Sequence, residues 1–134
     1  YTSLPEFHAA PWKPYTPGGI LDLVRSLPPD FPPGQQFAYN NTGYYLLGML
    51  LEKVAGESYE AFLSRRIFQP LGMTSTRLND LRAVIPGRVL GYTRQGDRHL
   101  NADQVHPSQP FAAGALISTV EDLARWDAAL EGET

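Results

Sequence analysis

The most apolar segment of the sequence is Thr42-Gly-Tyr-Tyr-Leu-Leu-Gly-Met-Leu-Leu-Glu-Lys-Val-Ala55. Its only charged residues are Glu52 and Lys53, and its apolar side chains fall on every face of a helix. Gly56 follows directly, and glycine is the residue that most often ends a helix in the left-handed conformation. The segment therefore predicts a helix over residues 42–55 that is buried on most of its sides.

Two further helices are predicted next to this segment. Thr16 followed by Pro17 is a typical helix start, and apolar residues recur at helical spacing over residues 17–27. After Gly56, Ser58 can cap another helix, which carries one apolar stripe and ends before Pro70. We expect this helix and the helix over residues 42–55 to form a hairpin.

The last third of the sequence predicts a ribbon and a final helix. Residues 88–93 and 98–100 form two short segments with a glycine-containing turn between them, which favours a two-stranded β-ribbon. Ser118-Thr-Val-Glu121 has the spacing of a capping box, in which Ser118 caps the helix that follows. The sequence as a whole predicts a mainly helical protein with one short ribbon near residues 88–100.

Composition limits the classes of function that remain open. The 134 residues suffice for one hydrophobic core, and 43% hydrophobic with 19% charged residues is typical of a globular domain. A net charge of -3 without a basic run argues against a nucleic-acid partner. The absence of cysteine excludes thiolate catalysis, iron–sulfur clusters and disulfides. No apolar run approaches the roughly 20 residues of a membrane-spanning helix. Residues 1–134 are therefore expected to form one domain.

The sequence contains no recognisable nucleophile. A serine needs an adjacent base, which a lysine three residues later on a helix can supply. The only lysines are Lys13 and Lys53, and the residues three positions before them are Ala10 and Leu50. Gly-x-Ser-x-Gly is absent, and the three histidines are too scattered for a metal site. Catalysis through a serine would require residues that this sequence does not contain.

Two polar residues stand immediately before the apolar helix, in Phe37-Ala-Tyr39-Asn-Asn41-Thr-Gly43-Tyr44. In a purely structural interpretation, Asn41 caps the helix and Tyr39 packs its ring with the hydroxyl in water. In a functional interpretation, the helix start holds a phenol and a carboxamide in a cleft, as proton carrier and hydrogen-bond donor. The residues themselves leave both interpretations open.

Four segments resemble serine hydrolases related to class C β-lactamases and penicillin-binding proteins. Residues 33–52, around Tyr39-Asn-Asn41, resemble the Tyr-x-Asn region of that family. Ile67-Phe-Gln-Pro-Leu-Gly-Met-Thr-Ser-Thr76 and Ala113-Gly-Ala-Leu-Ile-Ser-Thr-Val-Glu-Asp-Leu-Ala-Arg-Trp126 are similar to two of its later motifs. Tyr1-Thr-Ser-Leu-Pro5 resembles its His-Thr-Ser-Gly-Leu-Pro loop, although Tyr1 replaces the histidine and the glycine is missing. The motifs occur in the family's order.

The resemblance assigns roles to two residues. It implies that Tyr39 assists proton transfer to and from a serine, and that Asn41 hydrogen-bonds a lysine and the amide of the substrate, whereas Asn40 is the variable residue of the motif. It also implies a Ser-x-x-Lys helix before Tyr1 and a Lys-Thr-Gly or His-x-Gly strand after residue 134. The chain would then be the helical subdomain of a β-lactamase/DD-peptidase-like α/β fold.

The implied activity is acyl-enzyme hydrolysis of a β-lactam, a D-alanyl peptide or a small ester, with this chain inactive by itself. The alternative is a non-catalytic module that binds a peptide on the same scaffold. The resemblance implies no cofactor or metal and a bacterial periplasmic or secreted protein. The expected partners are a small-molecule or peptide substrate and the missing half of the fold. The apolar surface that this half would cover predicts self-association of the chain.

Overall fold

The computed structural model describes residues 1–132, apart from the side chains of Glu6 and His8. The α-helices of the described chain are α1 (Pro5–Ala9), α2 (Pro17–Val24), α3 (Asn41–Ala55), α4 (Tyr59–Leu63) and α5 (Val120–Leu130). The strands are β1 (Arg77–Leu78), β2 (Tyr92–Gln95), β3 (Arg98–Asn101) and β4 (Leu116–Ile117). A π-helix (Ser64–Phe68) continues α4, and a 3₁₀ turn (Phe111–Ala113) precedes β4. The described fold is therefore mainly helical, with two small sheets.

The structure confirms two of the helix ends that cap residues predict, the end of α3 and the start of α2. The α3 helix ends at Gly56, which adopts φ 70° and donates its N–H to the carbonyl of Glu52. The α2 helix begins at Pro17, and the Thr16 side chain accepts from the N–H of Gly19. It ends at Val24, three residues before the predicted end, because residues 25–27 form a turn instead. Cap chemistry thus fixes starts more precisely than apolar spacing fixes ends.

The segment after Ser58 is a helix of two kinds. The Ser58 hydroxyl accepts from the N–H of Ala61, as predicted for a cap. At Ser64 the chain changes to π-helical geometry, and the Gln69 N–H reaches the Ser64 carbonyl at 2.8 Å. This helix contacts α3, and the Glu52 carboxylate accepts from the N–H of Tyr59 at 2.9 Å. The π-helical turn is not predicted by the sequence.

The cap predicted for α5 is wrong by one residue. The Thr119 hydroxyl, not that of Ser118, accepts from the N–H of Asp122 at 3.3 Å. Thr119 has extended backbone geometry with φ -114°, which is what an N-cap residue requires. The motif places two hydroxyl residues side by side, and only the register of the helix distinguishes them. Ser118 is therefore available for another contact.

The two sheets differ in how well the sequence predicts them. The ribbon is confirmed as an antiparallel pair of β2 and β3, with Gly96 at φ 60° in the turn. Its first strand begins later than predicted, because the Arg88 guanidinium donates to the carbonyls of Asp80 and Ala83 and holds that residue in a loop. The β1–β4 pair is too short to leave a pattern in the sequence.

Two clusters of buried side chains form the core. The first consists of Tyr1, Phe7, Ile20 and Tyr45. The second consists of Leu63, Phe68 and Met73. Phe111 lies between α3 and α4, with its ring 5.1 Å from that of Tyr45 and 5.2 Å from that of Tyr59. The 3₁₀ turn therefore connects the apolar side chains of both helices.

The expectation that α3 is buried on most sides is wrong for this chain. Within α3 only Tyr45 and Gly48 are fully buried. The opposite side carries four exposed apolar residues, Leu46, Leu47, Leu50 and Val54. These four residues, called here the open face of α3, follow the helical period and form one stripe. Among the described helices, none is both long and apolar enough to cross a membrane.

The buried phenol of Tyr1 predicts a stability loss at high pH. It donates to the Gln109 carbonyl at 2.7 Å, and burial, with the nearby phenols of Tyr45 and Tyr39, raises the pKa of Tyr1 to about 12. Since an unfolded tyrosine has a pKa of about 10, the stabilisation is complete below that pH and is lost as the pH rises through the folded value. Urea unfolding across this range should show the free energy of unfolding falling with pH.

The control for this prediction is Tyr1→Phe, which cannot ionise. Its free energy of unfolding should be lower at neutral pH, because a buried carbonyl loses its donor, but should fall less steeply with pH. Part of the slope should remain, since burial also raises the pKa of Tyr45 and of Tyr59. Identical slopes for the two proteins would contradict the assignment to Tyr1.

Candidate active site

The start of α3 is capped by Asn40. Its side-chain oxygen accepts from the N–H of Gly43 at 2.7 Å, and its Nδ2 donates to the Ala38 carbonyl at 3.4 Å. The backbone of Asn40 is extended, with φ -150°, whereas Asn41 is the first residue of the helix. The structural interpretation in which Asn41 caps α3 is therefore wrong, and the residue treated as variable has a defined structural role.

Because Asn40 provides the cap, the carboxamide of Asn41 is free to face Tyr39. The Tyr39 hydroxyl donates to Asn41 Oδ1 at 3.2 Å. Asn41 Nδ2 donates to the Thr2 hydroxyl at 3.5 Å. Because the hydroxyls of Tyr39 and Thr2 can each donate or accept, both orientations of the Asn41 amide satisfy these two contacts. The structure thus brings together the two residues that the sequence singled out.

The pair lies on the surface and not in the core. Tyr39 is 63% exposed, and its ring lies against the ring of Tyr44, with centroids 5.4 Å apart. Phe37, two residues earlier, is 92% exposed. The phenol oxygen of Tyr39 can also hydrogen-bond a group arriving from solvent, because its lone pairs are not all used by Asn41. In its ionised form the same oxygen can take a proton from such a group and return it.

Thr2 is a site residue that sequence reasoning missed. It belongs to the loop that resembles His-Thr-Ser-Gly-Leu-Pro, and that loop lies beside Asn41. The loop is held by a turn, in which the Leu4 N–H donates to the Tyr1 carbonyl at 2.9 Å, and by the buried Tyr1 side chain. The order of the motifs in the sequence could have indicated this contact, because two motifs of one family often meet at one site.

The other two motifs meet around the buried carboxylate of Asp122. Its Oδ2 accepts from the Ser75 N–H and from the Thr76 hydroxyl, both at 2.8 Å, and its Oδ1 accepts from Arg125 at 3.0 Å. Burial by itself raises the pKa of Asp122, but the hydrogen bonds from Thr76 and Ser75 and the charge of Arg125 outweigh burial, and the pKa lies below its ordinary value. This cluster joins the two residues before β1 to α5 and shares no residue with the Tyr39 pair.

Within the part of the chain that the structure covers, no group of three or more histidine or acidic side chains could hold a metal ion. The Tyr39 pair itself offers a phenol and a carboxamide, which can transfer a proton and hydrogen-bond a polar group.

Asn40→Ala should destabilise the chain by about 1 kcal/mol, because the N–H of Gly43 loses its acceptor. Asn40→Asp, which retains an acceptor at the same position, should unfold at a urea concentration close to that of the unchanged chain. The measurement is urea unfolding followed by circular dichroism. Equal stability of the alanine variant would show that the cap contributes little to α3.

Comparison with known proteins finds one matching family model and several relatives of this chain. A family model described as Beta-lactamase matches residues 2–134. The mitochondrial serine beta-lactamase-like protein LACTB of Mus musculus is 33% identical over 111 residues, which cover 82% of this chain and 20% of the mouse protein. Penicillin-binding protein 4* of Bacillus subtilis (strain 168) is 32% identical over 126 residues, covering 83% of this chain and 28% of that protein.

A solved structure is similar as well. The crystal structure of a D-stereospecific amidohydrolase from Streptomyces sp. matches with a TM-score of 0.78 and 30% sequence identity, over 94% of this chain and 38% of that one. The chain therefore spans about a fifth to two fifths of the proteins that it resembles.

Proposed function

This chain belongs to the beta-lactamase family, and on that premise we propose that it supplies the Tyr-x-Asn part of a serine hydrolase. In this proposal residues 1–134 are the helical subdomain of a β-lactamase/DD-peptidase-like α/β fold. The hydrolase works through an acyl-enzyme on a β-lactam, a D-alanyl peptide or a small ester. The observation that carries the proposal is the hydrogen bond between Tyr39 and Asn41 at the exposed start of α3.

The proposed mechanism gives each of the two side chains one task. A serine hydroxyl from a Ser-x-x-Lys segment, which this sequence does not contain, attacks the carbonyl carbon of the substrate. In this proposal Tyr39 acts as a phenolate, whose charge the lysine of that segment stabilises. Its oxygen takes the proton of the serine as the bond from serine to the carbonyl carbon forms, and the resulting phenol gives that proton to the leaving group as the old bond breaks. The carboxamide of Asn41 hydrogen-bonds the lysine and the amide of the substrate. The Asn41 carboxamide lies 3.2 Å from Tyr39 Oη, and with its Nδ2 turned to Tyr39 it can donate to the ionised oxygen.

The decisive experiment compares this chain with the complete protein that contains it. Both are incubated with a chromogenic β-lactam, a D-alanyl peptide and a p-nitrophenyl ester, and intact masses are recorded. We expect turnover of at least one substrate and a covalent adduct on a serine for the complete protein, and neither for residues 1–134 alone. Turnover by this chain alone would contradict the proposal. Binding of the peptide by the complete protein without any adduct would instead support the non-catalytic module.

The compartment implied by the resemblance, periplasmic or secreted in a bacterium, stays a prediction. The relatives include a mitochondrial protein of Mus musculus as well as a protein of Bacillus subtilis. Localisation of the complete protein with a fused reporter would test it.

The open face of α3 supports a proposal about the rest of the fold. Four apolar side chains in one stripe are costly to leave in water, at roughly 25 cal/mol per Å². We propose that the part of the hydrolase carrying the Ser-x-x-Lys segment covers this face. In the isolated chain the same face is then available to a second copy.

Residues 1–134 should accordingly self-associate, with an apparent mass in sedimentation equilibrium that rises with concentration. The double substitution Leu47→Glu and Leu50→Glu should abolish this rise, because charges in the stripe oppose its burial. The matched control is Val84→Glu with Val89→Glu, at two positions that are also highly exposed but lie outside α3. A chain that is monomeric at every concentration would contradict the prediction.

A further inference from the structure

A cavity lies away from the Tyr39 pair, between the π-helix and α5. It has a volume of about 450 Å³, which lies within the range of about 300–1,000 Å³ that is usual for small-molecule sites. One wall is formed by Phe68 and Met73 of the second core cluster. The facing wall is formed by Leu123 and Trp126 of α5. None of its lining residues belongs to the Tyr39 pair or contacts it through Thr2.

The walls suit a flat apolar ligand. Met73 and Phe68 are buried, so this side of the cavity is rigid and already formed. On the α5 side, Leu123 is 52% and Trp126 is 37% exposed, which leaves an opening to solvent. An aromatic ring between the Met73 sulfur and the Trp126 indole would make contacts that both side chains favour.

One end of the cavity is polar, and its hydrogen bonds have a fixed direction. Thr76 has one hydroxyl proton, which it donates to the Asp122 carboxylate at 2.8 Å, because a carboxylate can only accept. The Ser118 hydroxyl lies 2.8 Å from Thr76 Oγ1, so Ser118 must be the donor in that contact. Among the described residues, the other acceptor near the Ser118 hydroxyl is the Thr119 carbonyl at 3.3 Å. The Ser118 proton can therefore be used within the protein, at Thr76 or at that carbonyl.

While Ser118 donates within the protein, its exposed oxygen presents acceptor lone pairs to the cavity. A ligand that carries an N–H at the edge of an apolar ring can use these lone pairs with no change in the protein. A ligand whose polar atom is only an acceptor gains a hydrogen bond there only if the Ser118 hydroxyl rotates away from its internal acceptor. A void left by imperfect packing has apolar walls and no such oriented polar end.

We propose that this cavity binds a small aromatic molecule that carries a single N–H donor, with the ring between Met73 and Trp126 and the N–H directed at Ser118 Oγ. The site is separate from the proposed active site, and its occupancy does not depend on the serine hydrolase chemistry. It would therefore remain if the proposed function failed.

The chain allows a direct test, because it has only two methionines, Met49 and Met73. The protein is labelled with ¹³C at the methionine methyl groups and titrated with indole, and then with indene, which has the same shape but no N–H. We expect the Met73 signal to shift with both compounds, and the Met49 signal, from α3 at the first core cluster, to stay in place. We also expect indole to bind roughly three- to tenfold more tightly than indene, which is the usual range for one net hydrogen bond.

Ser118→Ala provides the matched control. Ser118 is exposed, so its substitution should leave the fold intact. The variant should bind indene as the unchanged chain does and should lose its preference for indole. The indole N–H signals of Trp126 and Trp12 give a second readout, in which only Trp126 should respond. Equal shifts of the two methionines, no shift of Met73, or an indole preference that survives in Ser118→Ala would each overturn the proposal.

Discussion

Gly48→Ala is expected to lower the free energy of unfolding of the chain by about 2 kcal/mol, the usual cost of overpacking a tight contact. A Cβ atom at position 48 would lie 2.4 Å from Ala112 Cβ and 2.8 Å from Phe111 Cε1. Neither neighbour is the free end of a flexible chain. Phe111 is held by Tyr45 and Tyr59, so α3 would have to move away from the 3₁₀ turn. Urea unfolding gives the difference directly.

Gly43→Ala is the matched control, since it makes the same change in the same helix. The nearest atom to a Cβ there is Asn40 Oδ1 at 3.5 Å, an ordinary contact. Alanine favours a helix by up to about 1 kcal/mol over glycine, so this variant should be slightly more stable than the unchanged chain. The two substitutions should thus have opposite signs. A Gly48→Ala chain as stable as Gly43→Ala would show that α3 and the turn are loosely packed.

The part of the fold that the sequence predicts is the part determined by local chemistry. The Thr16 hydroxyl caps the start of α2, and Gly56 ends α3 because glycine readily adopts a positive φ. The cap of α3 was predicted less well, because Asn40 and Asn41 are chemically identical. Only the register of the helix decides which of them caps, and that register depends on packing. The contact between Asn41 and Tyr39 follows from that choice.

The features that the sequence does not predict arise between distant segments. Gly48 has no local reason to be a glycine, and its reason is the approach of Ala112. Phe111 adopts φ 42°, which is rare for a residue with a side chain, and its ring packs against two tyrosines of other elements. The pairing of β1 with β4 involves only two residues in each strand. Apolar periodicity likewise cannot tell which face of α3 another element covers.

The residues of the candidate site also differ in whether local sequence predicts them. Tyr39 and Asn41 could be selected because polar residues before an apolar helix need a purpose. Thr2 stands in no local pattern of this kind, because its part in the site is a single contact with a residue 39 positions later, which only the order of the family motifs could indicate. The cavity beside α5 depends on the direction of hydrogen bonds around Asp122, which only the folded arrangement defines.

In the complete protein, Tyr39→Phe is expected to lower kcat by about 10²- to 10⁴-fold, the usual contribution of a positioned acid or base. The substitution removes the phenol oxygen that is proposed to carry the proton of the serine, and it retains the ring that lies 5.4 Å from Tyr44. KM should change little, because the tyrosine acts on the proton and not on binding of the substrate. The measurement is steady-state hydrolysis of whichever substrate the complete protein accepts.

The neighbouring Tyr44→Phe is the matched control, since it removes a hydroxyl from the other ring of the same contact. It should leave kcat nearly unchanged, and both variants should unfold like the parent protein, because neither hydroxyl is buried. A large loss in both variants would show that the effect is not specific to the Tyr39 hydroxyl. A Tyr39→Phe enzyme with full kcat would show that Tyr39 takes no part in proton transfer, even if the serine still forms an acyl-enzyme. The hydrogen bond to Asn41 would then only orient the carboxamide.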